Sequence, residues 1–389
     1  MEISGIDHIL LYCTILLLAY IYDRQCRVIN KLQYSSSKDN PVFTLLLLGF
    51  VFVLTEGLRY GRGGDQIGNY GPFYQNCMNA GAWNQEFETL FVWINQIVYK
   101  IDPFRDALPF GIIFVVYALI FFICLYTYYK DKKKETKLFL VMAILATNYI
   151  TEWTIRQGVS FSFILLGLHY LENRRLKLMV GAMFVAYSIH HGNILAIILP
   201  IAFYYLFSDK VFPWKITVPL FIVLEYTMQV SMFQNFIQSI SGYLDLSFLG
   251  GNFSNYMKDD ALVGEAEISE EWARGALTQF LTILFYSSIL IIGAEACKIK
   301  SKITYIYDVF VVGIMILEPF RLAGSITRMF NALGCLWFIP IAYAIYNYKQ
   351  ICCNNRLVKI AFFCIFCYLL SYYGRYVFFN ADANYTWNL

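Results

Sequence analysis

Apolar runs return along the whole chain, and they decide its fold class before any motif is considered. The stretch "PVFTLLLLGFVFVL" (41–54) is almost pure hydrocarbon. Comparable stretches lie near 6–22, 42–58, 107–129, 138–153, 157–172, 176–190, 192–207, 214–230, 275–296, 303–318, 329–347 and 358–378. Each is long enough, or nearly so, to cross a bilayer as a helix. The chain has 389 residues, 59% hydrophobic and only 15% charged, whereas a soluble domain carries about 25% charge. A membrane barrel would show short alternating strands, and none is evident here. The expectation is an all-α polytopic integral membrane protein of about twelve transmembrane helices, with 1–389 forming one integral domain. The first residues lack a basic leader and a small-residue cleavage site, so 6–22 reads as a retained first span.

Lysine and arginine orient the spans. The connections 23–41, 130–137, 172–177, 208–215, 297–302 and 348–359 hold 20 of the 30 basic residues and only six acids. All six connections fall on one side under a twelve-span count, which supports the count and assigns that side to the cytoplasm. Both termini then face outward. The charges left on the outer side are few and need a reason. They are Arg59, Arg62 and Asp65 after the second span, Glu152 and Arg156 between the fourth and fifth, and His190 and His191 between the sixth and seventh. Glu318, Arg321 and Arg328 follow between the tenth and eleventh.

Two outer loops are long. In the first, 59–106, Phe87, Leu90, Phe91, Ile94, Ile97, Val98 and Ile101 recur at helical spacing. That pattern predicts an amphipathic helix lying along the membrane surface. The second, 232–274, opens with a stripe of Phe233, Phe236, Ile237, Ile240 and Leu244 and ends in an acidic run, Asp259 to Glu271, read as solvated surface or as a lid.

The chemistry concentrates in "YGRGGDQIGNYG" (60–71) and in the outer arginines. Glycines allow close backbone approach to a ligand, and successive N–H groups can cradle an anion. Arginine near a bilayer is costly, and its planar fork matches phosphate oxygens bidentately. Arg59, Arg62, Arg156 and Arg328 sit at the ends of separate stretches, where bundling brings ends together around a cavity. Snorkelling and ordinary ion pairs, such as Arg59 with Glu56, are the alternative. His190 and His191 close an apolar helix, and an imidazole there acts as a base, a phosphate ligand or an interfacial hydrogen-bond partner. Asp65 and Glu88 are further candidate bases. Glu225, inside a span, reads as a structural pair. The ten cysteines lie mostly in apolar segments and read as soft core filler, Cys364 and Cys367 included. No His/Cys spacing suggests zinc.

Five segments resemble the EpsG-like proteins, Wzy-type polymerases of exopolysaccharide, capsule and O-antigen. "LRYGRGGDQIGNYGPFY" resembles the family's arginine–glycine–aspartate–tyrosine signature. "ETLFVWIN" (88–95) resembles its glutamate-led helix, and "IRQGVSFSFILLGLHYLENRRLK" its arginine–glutamine helix with a basic turn. "VAYSIHHGNILAIILP" resembles its histidine segment, with His190 the matching residue, and "ITRMFNALGCLWFIP" its late arginine helix, which carries Arg328. Gly63, Gly64 and Gln66 around the aspartate, and the extra Arg62, depart from the pattern.

The resemblance implies a GT-C-like fold with outer-face amphipathic helices in a bacterial inner membrane, the active site facing the periplasm or the exterior. It implies transfer of a growing glycan from undecaprenyl diphosphate to the terminal sugar of another lipid-linked repeat unit. No cofactor, sugar nucleotide, metal or nucleic acid is expected, and a Wzz-type chain-length regulator is a usual partner. On this pattern Arg59, Arg62, Arg156 and Arg328 bind diphosphate, His190, Asp65 or Glu88 serves as base, and Tyr70, Gln157 and His191 are candidate substrate contacts. A lipid-linked oligosaccharide flippase, an O-antigen ligase and a membrane O-acyltransferase are the alternative functions.

Overall fold

The structure is a computed structural model of the chain. It describes residues 6–31, 41–60, 70–78, 87–105, 111–152, 154–208, 210–227, 276–318, 325–353, 355–379 and 384–385. Apart from a two-residue antiparallel pairing of Arg59–Tyr60 with Asn384–Tyr385, every described element is helical. Among the described residues, three helices are long and apolar enough to cross a membrane: Ile113–Lys130, Leu277–Ile299 and Met329–Tyr346. Shorter apolar helices cover Pro41–Gly57, Phe139–Asn148, Leu176–Ile189 and His191–Leu206. Large apolar side chains remain exposed along helix faces, among them Phe43, Leu46, Phe50, Phe363, Phe366 and Leu370. Such faces suit lipid, not water. The second long loop, 232–274, with its apolar stripe and acidic run, lies outside the described residues.

The chain divides into two compact units, Met1–His190 with Ser371–Leu389, and His191–Leu370. The first holds α1 (Ile6–Lys31), α2 (Pro41–Gly57), α3 (Gly71–Asn76), α4 (Thr89–Ile101), α5 (Ile113–Lys130), α6 (Phe139–Glu152), α7 (Ile155–Glu172) and α8 (Leu176–Ile189). Proline at the first position of α2 costs no helical hydrogen bond. α7 is the most enclosed of these helices, and small residues let its neighbours approach. A Cβ added at Gly158 would stand 2.5 Å from the Ile150 carbonyl of α6, and Ser160 Oγ donates to the Ala186 carbonyl of α8 at 2.8 Å.

The two ends of this unit differ chemically. Where α1 and α5 finish and α6 starts, Asp23 accepts the Leu138 N–H (3.2 Å), the Tyr129 hydroxyl (3.4 Å) and Arg27 (3.0 Å). Lys132 pairs with Glu172, and His169 Nδ1 lies 3.2 Å from Asp131. These contacts tie together the lysine-rich connections. At the other end, where α2, α6 and α8 finish and α5 and α7 begin, the connections carry aromatic residues instead. Tyr70, Phe73, Tyr74, Phe91, Phe114 and Tyr117 form a buried cluster there.

α4 is the helix expected along the membrane surface; of its sequence stripe Phe91 and Val98 are buried, Phe87, Leu90 and Ile94 pack partly buried against the aromatic cluster, and Ile97 and Ile101 face outward. Phe91, Val92, Asn95 and Val98 are buried, against α3, α5 and α8. Trp93, Ile97 and Ile101 are exposed. Asn95 joins the buried face because its amide donates to the Tyr117 hydroxyl at 2.7 Å. Asp102, directly after α4, accepts the Tyr74 hydroxyl (2.6 Å) and the N–H groups of Phe104 (2.8 Å) and Ile112 (2.9 Å). Gly111 sits against it at φ +53°, a conformation and a tightness that a side chain would not tolerate.

The second unit holds α9 (Ile194–Leu206), α10 (Trp214–Thr227), α11 (Ala276–Ile299), α12 (Thr304–Leu317), α13 (Ser325–Gly334), α14 (Phe338–Tyr346), α15 (Tyr348–Cys352) and most of α16 (Arg356–Phe379). α12 packs on α9 and α13, and α11 on α10 and α14. The stretch expected as one span at 329–347 is built from α13, a 3-10 turn at Cys335–Trp337 and α14.

Candidate active site

Four residues singled out in the sequence meet at the aromatic end of the first unit: Tyr70, Glu88, Arg156 and His190. Tyr70 precedes α3. Glu88 stands before α4 with extended backbone and makes no side-chain cap bond, so its carboxylate is directed elsewhere. Arg156 lies in the first turn of α7. A cation there opposes the helix dipole by about 0.3–1 kcal/mol, so helix formation gives no reason for it. His190 ends α8 with extended backbone, where the dipole favours an imidazolium.

Arg156 Nη1 lies 2.6 Å from Glu88 Oε2, and Arg156 Nε donates to the Tyr70 hydroxyl at 3.1 Å. The guanidinium carbon stands 4.6 Å from the Phe87 ring centre, 5.7 Å from Tyr70 and 5.8 Å from Phe91. Aromatic faces of this kind attract a cation and keep water off it. Of five guanidinium N–H groups, two are engaged, and the other three have no acceptor among the described residues. The arginine is therefore held at Nε, at Nη1 and on one face, with three N–H groups unbonded among the described residues.

The second oxygen of Glu88, Oε1, lies 3.2 Å from His190 Nδ1. One carboxylate thus bridges a guanidinium and an imidazole. The Arg156, Glu88 and His190 side chains are 19%, 11% and 22% exposed, so these interactions are only partly screened. Burial by itself would raise the Glu88 pKa. The His190 hydrogen bond and the Arg156 charge outweigh it and bring the group down to about 2. An ionised carboxylate only accepts hydrogen bonds, so His190 carries its proton on Nδ1. The basic nitrogen of the neutral imidazole is then Nε2.

The support is rigid. The Phe73 and Phe87 rings lie 4.5 Å apart, and Tyr117 stacks on Phe91 at 5.7 Å. The aromatic box of Phe87 and Phe91 was legible only as part of an apolar stripe. The signal for it is their spacing, one residue before and three after Glu88; both rings lie against the Arg156 guanidinium that Glu88 holds.

Gln157, next to Arg156, is buried. Glu56, the alternative partner suggested for Arg59, accepts the Tyr12 hydroxyl at 2.5 Å. Arg59 lies in the short strand pairing, and its side chain is outside the described residues, as are Arg62 and Asp65 altogether. In the second unit, His191 opens a 3-10 turn, His191–Asn193, that packs on α13. α13 is the helix that carries Arg328, whose side chain is not described.

The family model for EpsG matches residues 42–388. The chain belongs to the EpsG family. No curated protein and no solved structure matches it. This is the EpsG-like polysaccharide polymerase family, so membership points to a polysaccharide-polymerase-type role, and with the apolar helices it marks a membrane protein. The EpsG match contains all four residues of the cluster.

Proposed function

We propose that this protein elongates a bacterial surface polysaccharide, transferring a growing glycan from undecaprenyl diphosphate to the terminal sugar of a second lipid-linked repeat unit. The observation that carries the reading is the Arg156–Glu88–His190 cluster: a guanidinium held at Nε and Nη1, with its other N–H groups unbonded among the described residues, beside a histidine already oriented by a carboxylate. Transfer from a lipid diphosphate needs those two functions. One group must stabilise the departing diphosphate and another must accept the proton of the attacking hydroxyl.

In this scheme the acceptor hydroxyl attacks the anomeric carbon of the donor glycan. Its proton passes to Nε2 of His190. The bond from the anomeric carbon to the diphosphate oxygen breaks, and its electron pair leaves with undecaprenyl diphosphate. Arg156 faces the charge that develops there, the work a divalent ion does in other glycosyltransferases. Glu88 orients His190, and Tyr70 holds Arg156. Arg59, Arg62 and Arg328 are the further diphosphate ligands, Asp65 the alternative base, and Gln157 and His191 further substrate contacts. We place the chain in the inner membrane with about twelve spans in a GT-C-like arrangement and the site on the outer face, because within the first unit the lysine-rich connections 130–137 and 172–177 lie at the end opposite the site.

The test is incubation of purified protein with lipid-linked repeat units in nanodiscs. Wild type is expected to yield longer glycans, and His190→Ala to lose on the order of 10²-fold or more in rate, the usual contribution of a general base. If wild type leaves the repeat units unextended, the polymerase reading is wrong. Near-normal turnover in His190→Ala would remove that residue from the mechanism.

A further inference from the structure

We propose that Glu88 is a positioning residue that couples the two halves of the site: a diphosphate arriving at Arg156 draws the guanidinium toward itself and so strengthens His190 as a base. The inference rests on the polymerase reading and adds an order to it. Donor binding precedes, and enables, deprotonation of the acceptor.

The geometry supplies the coupling. Oε2 of Glu88 faces Arg156 at 2.6 Å and Oε1 faces His190 at 3.2 Å, so one carboxylate is shared between a guanidinium and an imidazole. A diphosphate offers the same guanidinium two or more negative charges through its remaining N–H groups. Each shift of Arg156 toward that ligand uncovers charge on Glu88, and His190, bonded to the other oxygen of the same carboxylate, feels it. An opposite charge at hydrogen-bond distance favours the protonated imidazole. The partial burial of all three side chains keeps the effect from being screened away. Among the described residues, Glu88 from the start of α4 bonds His190, Arg156 from the start of α7 reaches it through Glu88, Tyr70 bonds Arg156, and Tyr187 and His191 are its chain neighbours. Glu88 is the one among them that bonds both Arg156 and His190.

The sign follows. A stronger base holds its proton to higher pH. The acidic limb of kcat, which reports the donor complex, lies at higher pH than that of kcat/KM, which reports the free enzyme. By linkage, protonation of His190 tightens diphosphate binding by the same factor.

The test uses full-length protein in nanodiscs, carbon-13-labelled at histidine. The chain has four histidines, and His190 is assigned by its loss in His190→Gln. The His190 resonance is titrated with and without saturating inorganic pyrophosphate, whose binding is followed separately by calorimetry. The midpoint is expected to move upward in wild type. In Glu88→Gln, which keeps the shape of the side chain and removes its charge, most of that movement is expected to disappear while pyrophosphate still binds. Arg156→Lys is the second variant and is expected to lose the movement as well. An equal shift in wild type and Glu88→Gln would mean that pyrophosphate acts on His190 directly, and the coupling would be refuted. A fixed midpoint in wild type with pyrophosphate bound would refute it too, leaving the diphosphate site standing. Pyrophosphate that binds wild type and Arg156→Lys equally would overturn the diphosphate site itself, and the coupling with it.

Discussion

Arg156→Lys separates charge from geometry. Lysine keeps the positive charge and can still approach Glu88, but it has no Nε to donate to Tyr70 and no planar face to lie on the Phe87 ring 4.6 Å away. Two costs follow, and they are read in different assays. In the folded protein, a hydrogen bond from a charged group contributes about 1.5–3 kcal/mol and a desolvated cation–aromatic contact about 2 kcal/mol at most. Lysine recovers part of both, so the variant should lose about 1–3 kcal/mol of stability. In catalysis, removing one preorganised donor from a developing negative charge typically lowers kcat by about 10²–10³-fold, or about 2.7–4 kcal/mol of transition-state stabilisation. The assay is chain elongation by purified protein on lipid-linked repeat units, normalised to the folded fraction measured by thermal unfolding. The expected pattern is a large fall in kcat with a smaller change in KM, because the interaction strengthens as the diphosphate departs. A variant that elongates within about threefold of wild type, at equal folded protein, would show that the fork of Arg156 is dispensable, against the usual cost of losing such a donor.

Two further outcomes follow from the same cluster. Tyr70→Phe removes the acceptor of the Arg156 Nε–H in a buried setting, a loss of about 1–2 kcal/mol. Expressed in the transition state this is about 5–30-fold in kcat, with the KM for acceptor unchanged; a raised acceptor KM at normal kcat would instead make Tyr70 a direct sugar contact. The Glu88 carboxylate, moved from its ordinary 4.5 to about 2, favours the native state by on the order of 3 kcal/mol. Because its native pKa is depressed, that contribution is present above about pH 4.5 and lost as the pH falls toward 2. Unfolding midpoints taken down that range should fall more steeply in wild type than in Glu88→Gln, and parallel curves would argue against the ion pair.

How much of this was legible in the sequence depends on what kind of constraint each feature answers to. The helices were, because hydrophobic runs of span length admit few other structures; α2, at Pro41–Gly57, and α8, at Leu176–Ile189, begin and end within a few residues of the expected stretches. Glu88, Arg156 and His190 were, because a charged residue at the end of a greasy helix needs a reason wherever it occurs. What periodicity could not supply was the full width of the buried face of α4. Its stripe scores Asn95 as polar and therefore outward, yet the Tyr117 hydroxyl gives that amide a buried partner. Nor could it show that Glu88 is shared. A sequence read residue by residue offers Glu88 as one more candidate base, in parallel with His190. In the fold the same carboxylate is pulled down to about 2 by the partners it holds, which makes it a poor proton acceptor near neutrality. The three residues are in series: Arg156 fixes Glu88 and Glu88 orients His190, a side chain of the type whose ordinary range suits proton transfer near neutral pH. The aromatic box serves that series, since a guanidinium surrounded by water would give Glu88 a weaker partner and a diphosphate a weaker ligand.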